Sequence, residues 1–182
     1  MRVSQRIKTI VFGSFLLASL LSTSAQAHLM VAQHGTLNVV GDGAFMVLAL
    51  PISAFLDVDG DRDGNVTMVE FNQHREQIMA AVKENVKLSD ATGVLSLEGI
   101  MLSPEVAHNT DFEFVTQLTV LGRFTLNQSS SPMEFSIGLF GVHSGEQTME
   151  ITGTRTVSEQ AHVLVLTPEH SAGTLFPALA SN

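Results

Sequence analysis

Twelve consecutive residues, Asp59-Gly60-Asp61-Arg62-Asp63-Gly64-Asn65-Val66-Thr67-Met68-Val69-Glu70, restrict the path of the chain more than any other stretch. Asp59, Asp61 and Asp63 stand at places 1, 3 and 5, so their carboxylates meet only if the backbone curls around one point. Gly64 takes place 6, where the chain must turn sharply and a Cβ is costly. Asn65 at place 7 offers its backbone carbonyl, and Val66 at place 8 turns inward as an anchor. Thr67 at place 9 reaches the centre through a water, and Glu70 at place 12 returns with both carboxylate oxygens. All these donors are oxygen, which suits a hard cation; Ca²⁺ takes six to eight such ligands at about 2.3–2.6 Å. The candidate ligand set is therefore Asp59, Asp61, Asp63, Asn65, Thr67 and Glu70, and the expected ion is Ca²⁺. An Asp- and Gly-rich run alone is an ordinary surface turn. Gly64, Val66, Glu70 and the apolar Phe71, each at its required offset, go beyond that.

With those residues in place, the stretch resembles the loop of the EF-hand calcium-binding family, and no position departs from the pattern. The resemblance covers about one tenth of the chain plus its flanks. It implies a short incoming helix, the loop and a longer outgoing helix, spanning roughly 53–86 in all. The incoming helix, 53–58, has room for at most two turns. The outgoing one runs from Thr67, which can also cap it, to about Val86. Phe71, Ile78, Val82 and Val86 recur along it at helical spacing, and the simplest use for that stripe is core packing.

The first 27 residues read as a secretory leader. Arg2, Arg6 and Lys8 precede an apolar run over 10–21, and Ala25-Gln26-Ala27 gives a signal-peptidase pattern. The run is short of the ~20 residues that span a bilayer, and no later segment is long and apolar enough either. The expected mature chain, 28–182, is one exported domain, periplasmic or secreted, without a membrane span. It contains no cysteine, so no disulfide holds it together. Removing the leader takes three of nine basic residues and none of eighteen acidic ones, leaving a net charge of −12. Such a balance argues against nucleic acid and anionic membranes as partners. It also leaves the loop carboxylates repelling one another until a cation relieves them.

Outside the loop region the pattern has period two. Segments 36–40 and 44–50 flank Gly41-Asp42-Gly43 as two strands around a tight turn. Alternation returns at Leu95 and Leu97, then along Phe112, Phe114, Leu118 and Val120, with Gly122 as an expected bulge. It continues through Met133, Phe135, Ile137 and Leu139, and through 149–152 and 161–166. The expected fold class is mainly β: an antiparallel β-sandwich with one inserted EF-hand, and no internal repeat. This order of elements is also similar to the extracytoplasmic region that precedes the membrane helices of HupE/UreJ-type proteins. The likeness carries over no residue beyond the calcium loop. It implies an accessory role beside a metal-handling membrane protein.

No G-x-S-x-G elbow and no cysteine nucleophile is present, so nothing nominates an enzyme. Three readings follow. In the first, calcium stabilises an exported binding or accessory domain. In the second, the loop is a calcium sensor or buffer, which expects paired EF-hands where one loop is present. In the third, the domain handles copper through the α-amine and imidazole of a new N-terminal His28, joined by another of the seven histidines. The first is the one the residues favour.

Overall fold

The computed structural model describes residues 32–107, 113–127, 132–156 and 158–177. The leader over 1–27, His28, His108 and Phe112 lie outside the described residues. The chain folds into two sheets whose inner faces meet in one core. β1 (His34–Val40) and β2 (Gly43–Pro51) form the expected hairpin, with Val40 opposite Gly43 across the Gly41-Asp42 turn. The turn residues tolerate the tight reversal, and alternate side chains from Leu37 to Leu50 point inward and are fully buried. β7 (Phe114–Thr125) lies antiparallel beside β2, with Gly43 opposite Thr125 and Pro51 opposite Gln117. β6 (Leu97–Val106) runs along the far side of β7. On the other flank, β9 (Met149–Arg155) pairs with β1 and β10 (Ser158–Leu166) pairs with β9.

The second sheet has the order β11 (Ala172–Phe176), β8 (Met133–Ile137), β4 (Val86–Asp90), β5 (Gly93–Val94). Its inward residues, among them Leu88, Phe135 and Phe176, meet Met46, Leu48 and Val120 of the first sheet in a single cluster. Arg155 ends β9 almost fully buried, with its guanidinium 4.6 Å from the centre of the Phe176 ring. Burial pushes its pKa below the usual arginine value. Among the described residues, no helix is long and apolar enough to cross a membrane.

Several expectations need correcting. The sandwich is not wholly antiparallel, because β1 and β9 run parallel. The connection from β8 crosses from one sheet to the other before β9, which frees β9 from the hairpin rule that fixes neighbouring strands antiparallel. The bulge falls not in β7 at Gly122 but opposite it in β6, where Gly99 and Ile100 occupy the space between the Glu98–Arg123 and Met101–Leu121 pairs. Gly99 adopts φ +61°, which only glycine takes without strain, so the extra residue is accommodated on that side. No incoming helix forms over 53–58. A 3₁₀ turn, Ile52–Ala54, is followed by a bend, with Phe55 N–H donating to Ile52 O and Val58 N–H to Phe55 O. Pro51 is held extended by the sheet, and Phe55 and Val58, three apart, both enter the core, a spacing that 3₁₀ turns satisfy.

The outgoing helix is present in two pieces, α1 (Met68–Gln73) and α2 (Arg75–Asn85). At His74 the backbone leaves helical geometry, yet His74 N–H still donates to Glu70 O and Ile78 N–H to His74 O. Phe71, Ile78 and Val82 are fully buried against the sandwich, as their spacing predicts. The loop and helix are therefore built into the domain, between β2 and β4 in the chain order.

Candidate metal centre

The loop is positioned by the sheet at both ends. β2 stops at Pro51, opposite Gln117, and the chain leaves the sheet. It comes back at β3 (Val66–Thr67), where Val66 pairs with Val115 and Thr67 with Phe114. Val115 also pairs with Val106 of β6, so β3 must lie on the opposite edge of β7 from β6, in line with β2. The loop is thus an excursion from one strand line that rejoins it two positions further along β7. Val66, expected to anchor the loop, does so by burying its side chain and by pairing in the sheet.

Asp59, Asp61 and Asp63 come together: one carboxylate oxygen from each lies within 4.8 Å of the others. Asp59 is half-buried and the other two are exposed. Backbone N–H groups of the loop orient all three. Arg62 and Gly64 donate to the two oxygens of Asp59 at 2.7 and 2.9 Å. Asp63 N–H donates to Asp61 at 3.1 Å, and Asn65 N–H donates to Asp63 at 2.7 Å. A carboxylate has about four acceptor sites, so these bonds aim each group and leave lone pairs over. Gly64 adopts φ +89° with open space where a Cβ would sit, so backbone conformation alone accounts for glycine at place 6.

Glu70 is placed differently. It lies outside the three-aspartate group, with one oxygen engaged at the helix start and the other on the loop backbone. Oε2 accepts from Thr67 N–H at 2.9 Å and from Thr67 Oγ1 at 2.8 Å, and Oε1 accepts from Gly60 N–H at 2.9 Å. Thr67 Oγ1 in turn accepts from Glu70 N–H at 3.2 Å, completing a capping box on α1. The Thr67 backbone bond, the Thr67 hydroxyl and then the Gly60 and Asp61 amides hold the Glu70 carboxyl down to about 2, against an opposing effect of burial. Glu70 is therefore ionised at any neutral pH. Its bond to Gly60 ties the second residue of the loop to the last, so the side chain already folds back over the loop.

The donor set fits a hard cation: four carboxylates, three of them converged and one poised at the loop's end, with no competing nitrogen or sulfur in the group among the described residues. Asn65 and Thr67 flank this group, Asn65 at an exposed turn and Thr67 as the N-cap. What the sequence did not foretell is the double engagement of Glu70 and Thr67 in the cap, although the T-x-x-E spacing of a capping box is present in Thr67-Met68-Val69-Glu70. Compared with known proteins, the chain matches no protein-family model and no curated protein.

Proposed function

We propose that the loop 59–70 binds Ca²⁺ and that the ion stabilises an exported, periplasmic binding or accessory domain. The observation that carries this reading is the convergence of Asp59, Asp61 and Asp63 within 4.8 Å on a loop pinned to the sheet by Val66. Like charges held that close by backbone bonds cost free energy, and a divalent cation turns that cost into attraction. A structural role is favoured over a sensor by the outgoing helix. Phe71, Ile78 and Val82 belong to the one core of the sandwich, so swinging the helix open would break that core. Extracytoplasmic calcium sites of ~10⁻⁴–10⁻³ M affinity remain loaded where calcium is abundant.

The test is thermal unfolding with calcium, with magnesium and with chelator. The chain has neither Trp nor Tyr, so the signal must be circular dichroism or calorimetry. At one hundred times the dissociation constant a ligand adds about 2.7 kcal/mol. For a domain of this size that corresponds to a rise on the order of 5–10 °C. Magnesium, which demands tighter octahedral geometry, should give much less. Equal melting in calcium and chelator would remove the reading.

A further inference from the structure

Beside the loop lies a cleft of about 420 Å³, within the usual size of small-molecule sites. Its apolar wall comes from Ile52, Phe55, Leu56 and Val142, and the charged side chains lining it are Asp59 and Glu146. Leu56 and Val142 are 75 % and 59 % exposed, an unusual pairing of large apolar groups around one opening. Among the described residues no lysine or arginine lines the cleft, and His143 is the one basic side chain there. Glu146 is fixed in place: Oε2 accepts from Ser53 Oγ and from His143 N–H, while Ser53 Oγ accepts from Val142 N–H at 3.2 Å. These bonds tie the 3₁₀ turn that leads into the loop to the connection between the two sheets. They also hold a carboxylate at an apolar wall without freedom to turn away, which is the preorganisation a charged ligand needs.

We propose that this cleft binds an amphipathic organic cation, an ammonium or guanidinium group carried on an apolar body. The apolar walls take the body, and Glu146 takes the charge. An anion of the same shape would face the fixed Glu146 carboxylate across a partly desolvated cleft and be rejected. Asp59 lines the cleft too but belongs to the calcium loop, so the charge selection rests on Glu146.

The probes are three compounds of one shape and different charge: 4-phenylbutylammonium, 4-phenylbutanol and 4-phenylbutyrate. Each is titrated into the full chain, in calcium and again in chelator, and followed by backbone amide NMR shifts. Calcium binding is measured separately without any probe, so failure of the calcium reading and failure of this one are distinct results. The ammonium should bind about tenfold tighter than the alcohol, with the butyrate weakest. Shifts should centre on residues 52–59, 114–116 and 142–146. Glu146→Gln keeps an acceptor for Ser53 and should bring the ammonium down toward the alcohol. Leu56→Ala, at an exposed position, should weaken ammonium and alcohol alike. Equal binding of the three compounds, preference for the butyrate, scattered shifts, or indifference to Glu146→Gln would each overturn the proposal.

Discussion

In the proposed calcium site Glu70 would carry two duties that pull its carboxylate in different directions. As the third residue of α1 it closes a capping box with Thr67, and as the twelfth residue of the loop it would have to offer both oxygens to an ion. A bidentate bond to calcium requires Oε2 to loosen its hold on Thr67, so part of the ion's binding energy offsets a cap contact worth roughly 0.5–2 kcal/mol. Two substitutions separate the duties. Glu70→Gln keeps one acceptor for the Thr67 cap but removes the charge and the second acceptor that Gly60 uses; calcium affinity should fall at least tenfold in calorimetric titration, alongside a measurable loss of stability in chelator. Thr67→Ala removes the cap and should cost about 1 kcal/mol in chelator by denaturant unfolding. Asp42 and Asp90 serve as controls. Asp42 pairs with Arg123 at 2.9 Å and Asp90 accepts from Thr92 within its own turn, so neutralising either should leave calcium affinity unchanged. If Glu70→Gln and Asp42→Asn behaved alike, the loop would not be a calcium site.

Among the elements, the excursion over 52–65 has little regular structure of its own. It has no α-helix or sheet pairing between Pro51 and Val66, and over 59–65 its bonds run to the carboxylates that an ion would recruit. Local opening should therefore be easier here than in the strands, and calcium should suppress it. Arg62, exposed in the middle of the loop at φ +61°, makes that testable with trypsin. Cleavage after Arg62 should be the first cut in chelator and should slow severalfold in calcium, with other sites little affected. How far such an element was legible in advance depended on which period its residues obeyed. The loop's acidic residues followed a rule of fixed offsets, so the convergence of the three aspartates and the sharp turn at Gly64 were readable in advance. The hairpin of β1 and β2 was equally plain, because alternation and a Gly-Asp-Gly turn agreed. Val86 obeyed two periods at once. It continues the helical stripe of Ile78 and Val82, yet with Leu88 it begins the inward face of β4, and the helix reading concealed that strand. β11 was missed because Gly173 breaks its short run and only Leu175 and Phe176 are buried there. The missing incoming helix was decided by tertiary contacts, since Ser53 is drawn to Glu146 across 93 residues of chain.

At the scale of the molecule, the question is whether a local ion can stabilise the whole domain. Phe55 and Val58 before the loop, Val66 within it and Phe71 after it all belong to the same core cluster as Ile151 of β9 and Phe135 of β8. The loop's neighbours thus pack on both sheets through one continuous set of apolar contacts, and nothing in that arrangement divides the domain into independently melting parts. A ligand that binds only the folded loop then lowers the free energy of the entire native state relative to the unfolded chain. Unfolding should stay a single transition in calcium and in chelator, shifted in midpoint with the denaturant slope unchanged. Methyl NMR signals provide the check, because they report from different depths of the fold. Val66 in the loop and Ile151 in the distant part of the first sheet should lose intensity at the same temperature, and calcium should move both by the same amount. If calcium moved Val66 alone, the loop would be a local unit riding on a sandwich indifferent to it, and the ion's role would lie in the loop's own conformation instead of in holding the domain together.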